Sequence, residues 1–220
     1  MTMNQNETPE LESRPQSRRE WSGGLRSIVL PVGLVVAIVA ALLYIQSGGS
    51  SAKDDGFGTV ALPEALNPTS QAPNARDGRA APDFVLRQLD GDPLRLSDLQ
   101  GKPLIVNFWA TWCASCRAEI PDLIQLYEDQ ESNGLVLIGV NLRENEAAVR
   151  SFVADFGITY PVLFDRDGDV AATWRIGGPN QGIPSTYFID RRGVVRKVVF
   201  GTVTAKQAAE GLSLILPEGG

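Results

Sequence analysis

The chain has 220 residues, of which 43% are hydrophobic, and this length is sufficient for one sizeable folded core with additional segments. A formal net charge of −6 and a pI near 4.8 argue against a nucleic-acid partner, because binding to phosphates normally needs a basic face or stripe. The sequence contains no histidine and only two cysteines, which restricts the metal sites that it can build.

Residues 27–45, SIVLPVGLVVAIVAALLYI, form an apolar segment without a charged side chain. As a helix, at about 1.5 Å per residue, it would span roughly 28 Å of a hydrocarbon core that is about 30 Å thick. The segment is therefore predicted to be a single transmembrane anchor. Lys53 is the only basic residue in the fifteen positions after it, whereas four arginines precede it: Arg14, Arg18, Arg19 and Arg26. This asymmetry predicts that residues 1–26 are a cytoplasmic tail and that the rest of the chain lies outside.

Residues 27–45 have two alternative interpretations. A cleaved signal peptide is compatible with the small residues of QSGGSSA, but its apolar region is usually about 7 to 15 residues long. Both readings send the following chain to the same side of the membrane. A buried helix of a soluble core is disfavoured, because the segment is apolar on every face and a polar segment follows it.

Residues 46–79 are rich in Gly, Ser, Pro, Asn and Asp and show no sustained period of 2 or 3.6. They are predicted to be a flexible linker, with a root-mean-square reach on the order of 30 Å. A folded domain is predicted over residues 80–217, and this linker would keep it close to the membrane surface.

The pattern after Ala80 predicts an α/β fold with a mixed central sheet and helices on both faces. The turn at residues 90–93 predicts a β-hairpin, and the apolar run at residues 103–110 predicts a buried strand. The segment after the cysteines has the spacing of one helix face: Ile120, Leu123, Ile124 and Tyr127. Further strands are predicted at 135–141, 160–165, 185–190 and 194–200, and further helices at 149–156, 169–176 and 204–216.

Cys113 and Cys116 lie where the helix after the first buried strand should begin. A structural zinc site normally takes four Cys or His ligands, so zinc would require two chains to share it. A purely structural disulfide would close a ring of four residues and contribute only about 2 kcal/mol. Redox catalysis fits best, because the positive end of the helix dipole stabilises a thiolate and CxxC beside a strand–helix unit is the redox pattern.

The positions of the two cysteines predict different roles. Cys113 at the helix start should be the more exposed residue and attack the substrate, giving a mixed disulfide. Cys116 lies one turn into the helix, should face the core, and resolves that mixed disulfide.

The stretch VNFWATWCASCRAEIP, with APDFVL before it and GIPSTYFID after it, resembles the thioredoxin superfamily. More specifically, it is similar to the membrane-anchored extracytoplasmic thiol–disulfide oxidoreductases of the TlpA, ResA and CcmG type, within the AhpC/TSA-redoxin superfamily. The likeness covers about residues 80–216. It implies a thioredoxin-like fold with an N-terminal β-hairpin and a central helix–strand insertion at residues 145–165.

The resemblance also implies substrate-binding residues. Trp112 matches the tryptophan that shapes the rim of the site, although ordinary core packing is an alternative for a large aromatic side chain. Pro121 matches a proline that kinks this helix. Pro184 matches a cis-proline that faces the disulfide, and the backbone of Ile183 would then pair with an extended substrate segment.

Glu119 matches an acidic residue that ResA-like proteins place behind the cysteine pair. A carboxyl group with a raised pKa there could exchange a proton with Cys116, whereas the alternative is an ordinary Glu favoured by the helix dipole. Asn107 stands where cytoplasmic thioredoxins carry a buried Asp, and Asn cannot accept a proton. The dipeptide Ala114-Ser115 matches neither Gly-Pro of thioredoxin nor Glu-Pro of the ResA-like pattern, so the redox potential and the direction of electron flow stay open.

The leading functional hypothesis is a membrane-tethered reductase of protein disulfides that uses the dithiol alone, with no metal and no cofactor. By resemblance, its substrate would be apocytochrome c during cytochrome c maturation, and its electron donor an integral membrane thiol reductase of the CcdA or DsbD type. The absence of other cysteines suits an oxidising compartment, because nothing else in the chain can mispair.

Two other functions remain as alternatives. A thiol peroxidase is suggested because APDFVL also opens peroxiredoxin-like sequences, but Val106 and Ala110 occupy the positions where those proteins place Pro and Thr. A copper-binding module would use the cysteines as soft ligands. Here the absence of His and the presence of only two methionines, Met1 and Met3, argue against it.

Overall fold

The computed structural model describes residues 38–39, 56–178 and 182–216. The chain divides into two units, Met1–Gly49 and Ser50–Gly220. In the first unit only Ile38 and Val39 are described, and both are helical. Within the described ranges, no helix has the length and apolar character needed to span a bilayer. Apart from these two residues, the predicted tail and anchor lie outside the described residues, as do residues 46–55 of the predicted linker.

Residues 56–79 are structured, which corrects the prediction of a flexible linker in this part of the chain. Strand β1 (Gly58–Val60) pairs antiparallel with the strand that begins at Asp83, and a 3-10 helix follows at Glu64–Leu66. Ala75 is 3% exposed and belongs to the core. Backbone pairing and isolated side-chain contacts hold these residues. Contacts of this kind do not require apolar residues at a regular spacing, so the sequence shows no hydrophobic period here. The folded unit therefore extends N-terminal of Ala80.

The predicted hairpin is present as β2 (Asp83–Gln88) and β3 (Pro93–Arg95), which pair antiparallel. Gly91 in the turn has a φ of 104°, a conformation that glycine adopts without strain. The Asp83 carboxylate accepts hydrogen bonds from Arg95 Nε at 2.8 Å and from the Ser97 N–H at 3.0 Å, so it ties both ends of the hairpin together.

The other predicted elements are present with boundaries shifted by a few residues. In chain order they are β4 (Leu104–Trp109), α1 (Ala114–Gln130), a 3-10 turn (Glu131–Asn133), β5 (Val136–Leu142), α2 (Glu146–Phe156), β6 (Val162–Asp165), α3 (Asp169–Thr173), β7 (Ser185–Ile189), β8 (Val195–Phe200) and α4 (Ala205–Ile215). A further 3-10 helix, Leu96–Leu99, follows β3. Gly157 ends α2 in the left-handed conformation.

The strands described form one sheet in the order β1-β2-β6-β5-β4-β7-β8, with β3 beside β2. Strands β4, β5 and β6 are parallel to one another, and their other neighbours pair antiparallel. The predicted mixed sheet is therefore confirmed. Strand β4 lies inside the sheet between β5 and β7, and each of its residues is buried.

The side chains of β4 alternate between two apolar clusters, as the pleat of a strand requires. Ile105 and Trp109 belong to the cluster that contains side chains of α1, α2 and α4. Val106 and Phe108 belong to the cluster that contains Val170 of α3. Helices consequently cover both faces, and the loop at the end of β4 carries the two cysteines to the edge of the sheet.

Candidate active site

The cysteine pair lies directly after β4, at the start of α1. Cys113 is the N-cap residue of α1, and its Sγ accepts a hydrogen bond from the Cys116 N–H at 3.2 Å. The sulfur thereby occupies the place of the oxygen in an ordinary N-cap, facing the unpaired N–H groups of the first turn. This position favours negative charge on Cys113 Sγ after reduction.

Cys113 and Cys116 are joined by a disulfide bond, with their Cα atoms 5.2 Å apart. Cys113 is 5% exposed and Cys116 is fully buried, which is the predicted order of exposure. The Ser115 hydroxyl lies 3.4 Å from Cys113 Sγ, so one residue of the Ala114-Ser115 dipeptide makes a polar contact with this sulfur. Within the described residues, no group of three or more His, Cys, Asp or Glu side chains is arranged to hold a metal ion.

Trp112 extends into solvent beside the disulfide. Its side chain is 71% exposed, so ordinary core packing does not explain this residue. A large apolar surface next to a reactive sulfur is a natural contact for a substrate.

Pro184 lies across the site from Cys113, at the start of β7. The Ile183–Pro184 bond is cis, as the resemblance implied. The Ile183 carbonyl oxygen is 3.7 Å from Cys113 Sγ, which brings this backbone and the disulfide together. The Gly201 N–H donates to the Pro184 carbonyl oxygen at 2.8 Å and fixes the segment to the end of β8.

Glu119 lies on α1 one turn after Cys116 and is 1% exposed. Burial raises the pKa of Glu119, and two hydrogen bonds to the carboxylate act in the opposite direction. The Val203 N–H donates to Oε2 at 2.9 Å, and Asn107 Nδ2 donates to Oε1 at 2.8 Å. An ordinary solvated Glu at a helix start does not fit this environment. Pro121 lies two residues further along α1.

Glu119 also borders a groove between α1 and α4 with a volume of about 370 Å³. The groove is lined by side chains that include Asp122, Leu126, Val203 and Leu212.

Glu144 is a residue of the site that the sequence analysis missed. It follows β5, and its carboxylate accepts hydrogen bonds from the Thr111 N–H at 2.7 Å, from Thr111 Oγ1, and from Asn141 Nδ2 at 2.7 Å. Glu144 therefore holds the loop that precedes Trp112 and Cys113. No local pattern in the sequence marks this contact, which forms because β4 and β5 are parallel neighbours and the residues that follow them meet at one edge of the sheet.

Comparison with known proteins agrees with this geometry. A model of the AhpC/TSA family matches residues 78–198, which include both cysteines and Pro184. The thiol-disulfide oxidoreductase ResA of Geobacillus thermodenitrificans is 37% identical over 140 residues, covering 64% of this chain and 78% of the relative. ResA of Bacillus subtilis is 36% identical over 141 residues, covering 64% and 76%.

Among solved structures, a thiol:disulfide interchange protein of the thioredoxin family from Chlorobium tepidum TLS superimposes with a TM-score of 0.55. It is 33% identical, and the match covers 65% of this chain and 96% of that one. The thioredoxin-like fold is thus confirmed, and the thiol peroxidase alternative is not favoured by these relatives. The chain belongs to the AhpC/TSA family and is a thiol–disulfide oxidoreductase related to the ResA proteins.

Proposed function

We propose that this protein reduces disulfides of other proteins outside the cytoplasm while it is tethered to the membrane. The observation that carries the proposal is the position of Cys113 Sγ, at the N-terminus of α1 and 3.7 Å from the Ile183 carbonyl oxygen next to the cis-proline. This arrangement combines a stabilised thiolate with a backbone edge on which an extended substrate segment can lie.

The first step is nucleophilic attack by the Cys113 thiolate of the reduced protein on one sulfur of the substrate disulfide. The substrate S–S bond breaks, a mixed disulfide forms, and one substrate thiolate leaves and takes up a proton. The helix dipole, the Cys116 N–H and the Ser115 hydroxyl all favour the charged form of Cys113.

In the second step Cys116 gives up its thiol proton and attacks Cys113 Sγ. The second substrate thiolate leaves, and the Cys113–Cys116 disulfide forms, so two electrons have passed from the protein to the substrate. Glu119 is proposed to accept the Cys116 proton, because burial raises its pKa and it lies one turn away on α1. A donor dithiol then reduces the pair again.

Trp112 and Ile183 are proposed to bind the substrate. The exposed indole of Trp112 offers an apolar surface next to Cys113 in the chain, and the Ile183 carbonyl oxygen lies 3.7 Å from Cys113 Sγ. A substrate segment between them would present its own disulfide to Cys113.

The proposed location and partners rest on the sequence and on the ResA-like resemblance. Residues 1–26 would be a cytoplasmic tail, residues 27–45 the anchor and residues 46–55 the linker to the folded domain. The uncharged anchor segment and the arginines before it support this arrangement. Apocytochrome c is the proposed substrate, within cytochrome c maturation, and a membrane thiol reductase of the CcdA or DsbD type is the proposed electron donor.

The test is capture of substrates by Cys116→Ser in membranes of the native host. This variant attacks but does not resolve, so mixed disulfides through Cys113 should accumulate and release apocytochrome c on reduction. Cys113→Ser is the matched control and should capture nothing. Recovery of the variant without any attached protein would refute the proposed reduction of protein disulfides, and recovery from the soluble fraction would refute the anchor.

A further inference from the structure

Asn107 lies at the centre of a buried chain of hydrogen bonds that joins three elements of the fold. From β4, its Nδ2 donates to Glu119 Oε1 on α1 at 2.8 Å and to Thr186 Oγ1 on β7 at 2.9 Å. Asn107 and Thr186 are fully buried, and Glu119 is 1% exposed. Both N–H groups of the amide are therefore used, one by the Glu119 carboxylate and one by Thr186 in the strand that follows Pro184.

We propose that Asn107 is a positioning residue for the redox cycle, which holds the Glu119 carboxylate and connects it to the strand of the cis-proline. This inference rests on the proposed proton exchange between Glu119 and Cys116. Thr186 lies two residues after Pro184, so this chain of hydrogen bonds joins the strand that follows the cis-proline to Glu119.

The two oxygens of the Glu119 carboxylate accept hydrogen bonds from different donors. Asn107 binds Oε1, and the Val203 N–H binds Oε2 at 2.9 Å. Among the described residues, Asn107 is the only side chain that donates a hydrogen bond to this carboxylate. Loss of its amide would leave one carboxylate oxygen buried without a donor, which disfavours the ionised form.

The Asn107 amide has a second polar atom that can serve the neutral form of Glu119. Asn107 Oδ1 is buried and has no hydrogen-bond partner in the described part of the chain. Rotation of the amide by half a turn would direct Oδ1 toward Glu119, where it can accept a hydrogen bond from the O–H of a neutral carboxyl group, at the expense of both present Nδ2 hydrogen bonds. The Thr186 hydroxyl can follow this rotation, because it can donate as well as accept. An Asp at position 107 would instead place a second carboxyl group against Glu119.

The other titratable groups near Glu119 come from three places. Asp122 on α1 raises the pKa of Glu119, although less than burial does. Tyr160, before β6, has its pKa raised by burial and then by the charge of Glu119. Cys113 and Cys116 lie at the start of α1. Asp122 and Tyr160 make no hydrogen bond to the Glu119 carboxylate among the described residues, so Asn107 is the group that can be removed selectively.

The experiment measures the rate of exchange between the reduced full-length protein and a small aromatic disulfide as a function of pH. A small probe makes the measurement independent of the physiological substrate. The native rate–pH profile should contain a transition that is absent from the profile of Glu119→Gln. This transition reports the titration of Glu119. Asn107→Ala should move this transition to higher pH by about one unit, because the ionised Glu119 carboxylate loses a hydrogen bond.

Two sets of variants make the test selective. In a chain that already carries Glu119→Gln, Asn107→Ala should not shift the profile. A shift there as large as the one in the native chain would overturn the proposal. Thr186→Val replaces the hydroxyl with a methyl group and should shift the profile in the same direction by a smaller amount. Thr186→Ser keeps the hydroxyl and should give the native profile. If Asn107→Ala does not fold, a Thr186→Val profile that equals the native profile overturns the proposal.

The result also separates this inference from the proposed function. Identical profiles for the native chain and Glu119→Gln would overturn the role of Asn107 but leave the dithiol reaction intact. Exchange that survives Cys113→Ser would instead refute the reaction itself.

Discussion

Replacement of Glu144 by Gln tests whether this residue holds the loop before Cys113. The carboxylate accepts from the Thr111 N–H, Thr111 Oγ1 and Asn141 Nδ2, and a Gln keeps only one oxygen for these donors. Its amide N–H groups would face the remaining donors. Asn141 is fully buried, and stranding a buried donor costs about 1–3 kcal/mol. Since Thr111 is half-buried and can regain water, we expect Glu144→Gln to destabilise the oxidised protein by about 2 kcal/mol.

The assays are urea unfolding of the oxidised protein and the rate of insulin reduction by the reduced protein. The variant should lose both stability and rate, because the segment carrying Trp112 and Cys113 is no longer fixed. Glu146→Gln is the matched control: its carboxylate forms exposed ion pairs with Arg150 at 2.8 Å and Arg166 at 3.2 Å, and such pairs contribute little. Equal stability of Glu144→Gln and Glu146→Gln would refute the reasoning.

Three further predictions follow from the same structure. Burial raises the pKa of Glu119, so its contribution to stability is complete below about pH 4.5 and is lost as pH rises through the raised pKa. Urea titrations would measure the unfolding free energy of Glu119→Gln minus that of the native chain. This difference should therefore increase from about pH 4 to about pH 8, and a difference that does not change with pH would contradict the prediction. In α4, a Cβ added at Gly211 would overlap the ring of Phe188. Gly211→Ala should therefore lower the free energy of unfolding by about 1–3 kcal/mol, although Ala has the better helix propensity. An unchanged thermal midpoint would show that the ring moves aside freely. Because the Trp112 side chain is 71% exposed, Trp112→Ala should change stability by no more than about 0.5 kcal/mol and raise the KM for a protein disulfide; an unchanged KM would remove Trp112 from substrate binding.

The elements of the domain were predictable because their side chains report burial directly. The residues of β4 read as one apolar run, since the strand is covered on both faces. Ile120 and Leu123 recur at helical spacing because one face of α1 packs on the sheet. The cysteine pair was predictable from its spacing and its place after β4, and the cis bond at Pro184 from the resemblance.

Residues 56–79 were mispredicted because their order comes from partners far away in the sequence. Gly58–Val60 is a strand only because its backbone pairs with β2, and the Gly78 N–H is held at 2.9 Å by the Val195 carbonyl oxygen. Backbone hydrogen bonds of this kind need no particular side chain, so polar composition alone resembled a linker.

The sequence by itself predicted dithiol redox chemistry, because the two cysteines have CxxC spacing and lie beside a strand–helix unit. It also determined the alternation of strands and helices, which follows from local periodicity. Only the tertiary structure decided which polar groups serve the cysteines. Glu119, Asn107 and Thr186 come from separate elements, and Glu144 meets Thr111 only because β4 and β5 lie side by side. Such contacts depend on how buried elements pack against one another, and local sequence patterns carry no record of that packing.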